Sequence, residues 1–142
     1  DIGDDYCIHP PKKKEVADRL LYNALNQTYG FATIDGQSPV YDSLWVEDGG
    51  IVLTFDHAES GMFAYEDPDG FEIAGEDRVF YPARASIVDR RNVLVKSERV
   101  TKPVAVRYAW RNWIKGTLFD TNLLPASSFR TDDWEDATRF VE

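Results

Sequence analysis

The stretch best equipped for chemistry comes first: DIGDDYCIHPPKKKEVADRL sets His9 against a Pro-Pro pair, with Asp1, Asp4 and Asp5 close upstream. A histidine just ahead of a helix and beside carboxylates can be held in one tautomer and act as a general base. The same residues also describe a surface imidazole bonded to a nearby acid, and residue types alone leave both readings open. His57, at the strand end in Phe55-Asp56-His57-Ala58, reads as a surface histidine. Cys7 and His9 are near neighbours, but one cysteine and two histidines are too few for a zinc site, which takes three or four such ligands. The residues therefore predict neither a metal nor a cofactor. With Cys7 the only cysteine, an intrachain disulfide is excluded.

A general base needs a nucleophile. The serines are Ser38, Ser43, Ser60, Ser86, Ser97, Ser127 and Ser128. None sits in a G-x-S-x-G elbow, and none follows a Gly-Asp pair. Asp67-x-Asp69-Gly70 begins like a calcium loop but lacks the later ligands, so it reads as a solvated turn. Gly49-Gly50 belongs to a hairpin and not to a phosphate loop. Trp110, Trp113, Phe119 and Trp134 cluster late in the sequence, where large rings serve either as core or as a flat platform for sugars.

The elements that must position His9 are few. Val16, Leu20, Leu21, Ala24 and Leu25 make one apolar stripe of helical period. Pro10 and Pro11 suit the first helical positions, and Gly30 is placed to stop the helix. Lys12, Lys13 and Lys14 oppose the dipole at that end, a cost the upstream acids can offset. No other segment offers a helical partner for the stripe.

From about residue 31 the pattern turns to β. Ser43–Glu47 and Ile51–Phe55 alternate around Asp48-Gly49-Gly50, a hairpin signal. Further runs at 61–65, 71–74, 79–88, 93–96 and 104–110 are separated by turn clusters. About seven short strands at roughly ten-residue spacing predict an antiparallel β-sandwich. Residues 111–131 read as irregular and 132–142 as an acidic tail. The expected organisation is 1–31 as a loop and orphan helix, 32–135 as a mainly β domain, and 136–142 as a tail.

The totals exclude some classes. Hydrophobic residues at 43% and aromatics at 13% suffice for a packed core, and a net charge of −9 disfavours nucleic acid. No apolar run approaches the roughly 20 residues of a membrane span. The chain opens on Asp1-Ile2-Gly3-Asp4 without an initiator methionine and reads as part of a longer protein.

Taken together, DIGDDYCIHPPKKKEVADRL, GFEIAGEDRVFYPARA, PVAVRYAW and LPASSFRTD, in that order, resemble the C-terminal part of the sialate O-acetylesterases, SGNH-type carbohydrate esterases. The resemblance runs over residues 1–31 and most of 41–132. It implies that residues 1–31 are the last loop and helix of an α/β hydrolase domain otherwise absent here, with the β-sandwich following. It also implies that His9 is the catalytic histidine, and that the serine and oxyanion hole lie in an earlier segment or a companion chain. Such enzymes often place an orienting Asp three residues before the His. Here that position is Tyr6, which leaves Asp4 as the expected orienting acid, with Asp5 or a backbone carbonyl as the other choices. The implied substrate is an acetylated glycan, and the implied setting is exported (periplasmic or secreted) or lysosomal. The chain alone is expected to be inactive. A non-catalytic β-sandwich module that binds glycan or stabilises its partner is the competing expectation.

Overall fold

The computed structural model describes residues 1–135; the expected tail at 136–142 lies outside the described residues. Helix α1 (Lys13–Asn23) runs into a π-helical turn at Ala24–Thr28. Gly30 follows with φ at +72°, and the Phe31 N–H reaches back to the Leu25 carbonyl, so the helix stops where Gly30 was expected to stop it. The start differs from expectation, because the helix begins at Lys13 and not at the prolines. A residue that precedes proline is pushed out of the helical region, which keeps Pro10 extended. Pro11 instead accepts a tight turn bond from the Lys13 N–H at 2.9 Å. Lys14 pairs with Asp18 one turn on, and Asp1 reaches Arg19 rather than the lysines.

Nine strands are present among the described residues: β1 (Val40–Glu47), β2 (Gly50–Asp56), β3 (Met62–Phe63), β4 (Phe71–Ala74), β5 (Phe80–Ile87), β6 (Asn92–Lys96), β7 (Ala105–Tyr108), β8 (Phe119–Asp120) and β9 (Phe129–Arg130). Seven form one antiparallel sheet in the order β1-β2-β6-β5-β4-β7-β9, and β3 pairs with β8. The domain is mainly β, as expected. One reading changes, however. Residues 111–131 are not wholly irregular, since they carry β8 and β9. The turn cluster at 66–70 does not close a hairpin, because β3 pairs with β8 instead of β4.

Strand β5 turns the sheet on itself. Its first half, Phe80–Ala83, pairs with β4, and its second half, Arg84–Ile87, pairs with β6. Pro82, which cannot donate to a ladder, sits beside this change of partner. The two ends of the sheet then approach, with Tyr41 of β1 stacked on Phe129 of β9 at 5.0 Å.

Alternation puts one set of residues inside. Ile51, Leu53, Phe55, Val93, Val95, Ile73 and Val106 are wholly buried. They face each other in register, Ile51 with Val95, Leu53 with Val93, and Ile73 with Val106. Burying each such side chain stabilises the domain by about 1.5–3 kcal/mol. In β1 the inward residues Tyr41 and Leu44 are three apart. A bulge between Tyr41 and Ser43 absorbs the extra residue and restores Leu44 to Leu53. The β1–β2 turn has positive φ at both Asp48 and Gly49, the two-residue type I′ hairpin that the Asp-Gly pair specifies.

Candidate active site

His9 lies on the loop that precedes α1 and is exposed. Among the described residues no side chain bonds its imidazole. Its backbone oxygen accepts from the Cys7 thiol at 3.3 Å. Asp4 turns into its own loop, where Oδ1 accepts the Tyr6 N–H at 2.9 Å. Asp5 is exposed. His9 and Asp4 thus share a loop, but the structure does not bring them into contact.

The loop is anchored at its base. Asp1 accepts two bonds from the Arg19 guanidinium, at 3.0 and 2.6 Å, in a partly buried pair that ties the chain start to the middle of α1. The far end of the helix is anchored as well. Asn23 and Asn26 donate to the carbonyls of Gly36 and Ile34, at 3.2 and 2.7 Å. The linker passes so close there that a Cβ on Gly36 would stand 2.6 Å from the Tyr22 carbonyl oxygen. Asn122 then reaches Asp35 at 3.3 Å and fixes the linker to the β domain.

Between these anchors several apolar side chains are bare, while Val16, Ala24 and Leu25 are half-buried. Tyr6 is 94% exposed, Ile8 90% and Leu20 68%, and α1 buries none of its residues. An open cleft of about 430 Å³, lined in part by Leu20, Gln27, Gln37, Leu124 and Ser127, separates the helix from the β domain.

No serine is bonded to a histidine among the described residues. Ser43 donates to Asp42, Ser97 to the Pro82 carbonyl, and Ser60 accepts from Asn122. His57 ends a strand at φ +56°, in keeping with a turn residue. Among the described residues no group of three His, Cys, Asp or Glu side chains is placed to hold a metal ion.

The late aromatics do not form one platform. Phe119 packs with Tyr65, Trp134 with Phe80 under Arg78, and Trp110 lies under Arg130. Arg130, which lies over the Trp110 ring, also donates to the Trp134 carbonyl at 3.0 Å.

Two buried acids were missed from the sequence. Asp132 is nearly inaccessible. Its burial raises its pKa, but the hydrogen bonds and charge of Arg107 prevail, and it ionises below its ordinary 3.8. Asp120, fully buried, shifts the other way: burial and the charge of Asp35 raise it despite bonds from the Leu124 and Asn122 N–H groups. Asp in Asp120-Thr-Asn122 is a known loop-forming signal, so Asp120 was findable as a turn residue, though not as a buried one.

By sequence identity and fold the chain is similar to part of a carbohydrate acetylesterase. The supporting match is the crystal structure of a carbohydrate acetylesterase from Xanthomonas citri, with 39% sequence identity over 94% of this chain and a TM-score of 0.87. This chain spans 31% of the length of that protein. No family model matches the chain, and a search of curated proteins gives no match.

Proposed function

We propose that this chain is the histidine-bearing C-terminal part of a serine carbohydrate esterase of the sialate O-acetylesterase, SGNH type, which removes O-acetyl groups from sialic acid or related glycans. In this reading residues 1–31 complete an α/β hydrolase domain, and 32–135 form the β domain behind it. An N-terminal segment or companion chain brings the nucleophilic serine and the oxyanion hole.

His9 takes the proton from that serine as its oxygen attacks the acetyl carbonyl. The tetrahedral intermediate collapses, and His9 returns the proton to the departing sugar hydroxyl. Water, deprotonated by His9, then attacks the acetyl-enzyme, and acetate leaves as the serine regains its proton. Asp4 orients the imidazole through Oδ2, the oxygen that its bond to Tyr6 leaves over.

The observation that carries the proposal is a pairing on one short arm. A histidine without a side-chain partner stands next to an apolar surface with no cover, and both needs are met by one hydrolase domain laid against α1. Without oxyanion donors, one of which is worth about 3–4 kcal/mol to the transition state, His9 alone is inert.

The test is p-nitrophenyl acetate hydrolysis by the chain alone and by the same chain joined to a serine-bearing hydrolase segment. The chain alone is expected to be inactive. The joined protein is expected to be active and to lose at least roughly 10⁴-fold on His9→Ala. Activity unchanged by that substitution would remove His9 from the mechanism.

A further inference from the structure

The outer face of the β1–β2–β6 sheet carries a groove that the esterase reading does not use. Trp45, Val52 and Leu94 stand directly opposite one another across the three strands. Their sequence neighbours Leu44, Leu53 and Val93 point into the core, so these three form the opposite surface. The result is an apolar floor in a groove of about 270 Å³. That is slightly below the roughly 300–1,000 Å³ of sites that enclose a small molecule, and it suits one unit of an extended chain.

The rim is polar and fixed. The Trp45 indole N–H donates to Glu47 Oε2 at 3.0 Å, which holds the ring in one orientation with 42% of the residue exposed. Asp89 is held by the N–H groups of Arg91 and Asn92 and by the Asn92 side chain. The stem of Lys96 lies over Gly50, so close that a Cβ there would stand 2.6 Å from Lys96 Cγ. The stem thus runs through the space the glycine leaves, which brings Lys96 beside the groove.

We propose that this groove binds a neutral polysaccharide chain, with one sugar ring laid on Trp45. A pyranose presents a flat C–H face to an aromatic ring and a belt of hydroxyls at its edge, which matches an indole floor ringed by the carboxylates of Glu47, Asp48 and Asp89 and the Lys96 ammonium. Charge decides between classes. The three acids outweigh Lys96, so a carboxylated glycan meets net repulsion, while hydroxyls donate to the acids. A second copy of the chain is disfavoured for the same reason, since a two-fold contact over the groove gathers the acids of both copies with a single lysine from each. The site holds the polymer and performs no reaction, so it stands or falls independently of His9.

The experiment is native affinity electrophoresis of the chain in gels containing hydroxyethylcellulose, arabinoxylan or galactomannan, with polygalacturonate as the acidic comparison. Retardation is expected in at least one neutral polymer and not in polygalacturonate. Trp45→Thr, which keeps a strand-forming residue, should abolish it; Trp45→Phe should retain part of it, and Trp110→Ala all of it. A thermal melt of each variant separates loss of binding from loss of fold. Free migration of the parent in every neutral gel overturns the proposal, as does Trp45→Thr binding like the parent. Trp45-dependent binding to polygalacturonate, or a concentration-dependent dimer that Trp45→Thr dissolves in sedimentation, also overturns it.

Discussion

From Val40 onward the inner apolar faces of the strands meet one another, and Phe55 is wholly buried; before Gly30 much of the apolar surface is open, and Leu20 is 68% exposed. Both regions hold similar residues, so hydrophobicity does not separate them. Partners do. A sheet that folds back on itself through β5 supplies its own second layer, while a single helix has only one apolar face and needs another element to cover it. Stability should therefore reside in the β domain, and dependence on a covering domain in the arm.

The sharpest way to break that division is Phe55→Ala. Phe55 sits edge-on to Phe129, 5.7 Å between ring centres, in the middle of the core. Its loss should cost about 3–5 kcal/mol in urea unfolding of the chain. A cost under about 1 kcal/mol would mean that the core is not where the stability lies.

Next comes Arg107→Ala, expected to cost about 3 kcal/mol at neutral pH by stranding the buried carboxylate of Asp132. The pH dependence sharpens the test. Asp132 ionises below 3.8 when folded, so its contribution is present above that pH and lost as the pH falls through its lowered value. Asp120 has the opposite sign. Its raised folded value means that its contribution is full below 3.8 and disappears as the pH rises, so at neutral pH it is a burden. Unfolding followed from pH 7 downward should show Arg107→Ala flatter than the parent through the acid limb. A parallel displacement of the two curves would show that the ion pair is not what titrates.

The smallest effect is the one that tests the arm. Leu20→Gln should change the stability of the isolated chain by no more than about 0.5 kcal/mol, as at an ordinary surface site. In an assembled esterase the same change should weaken association with the hydrolase segment, measured by co-purification. A large loss of stability in the isolated chain would show that the helix is part of the β domain's own fold.

Much of this arrangement was legible from local signals. The Asp48-Gly49 turn, the alternation of β2 and β6, and Gly30 at the helix end are each written in a few adjacent residues. What was hidden depends on distant ones. The run at 61–65 was read as a strand, but its partner was not: β8 is two residues long, too short to show alternation, and it exists because residues near 62 and 120 meet. Of the candidate site, His9 was readable by type and position. Whether Asp4 serves it was not, since two residues of one loop meet only if its turns aim them at each other, and here Asp4 accepts the Tyr6 N–H.

The stack of Tyr41 on Phe129 places the entrance and the exit of the β domain side by side. A unit whose two ends touch can be moved as a cassette: it can be spliced into a loop of another protein without prising that loop apart. For the same reason a short joint between its ends, with a new opening at the exposed Asp48-Gly49 turn, would give a circular permutant with the same core. Seen this way, the first and last strands are the hinge pins of a portable part, and the arm bearing His9 is one attachment such a part can carry.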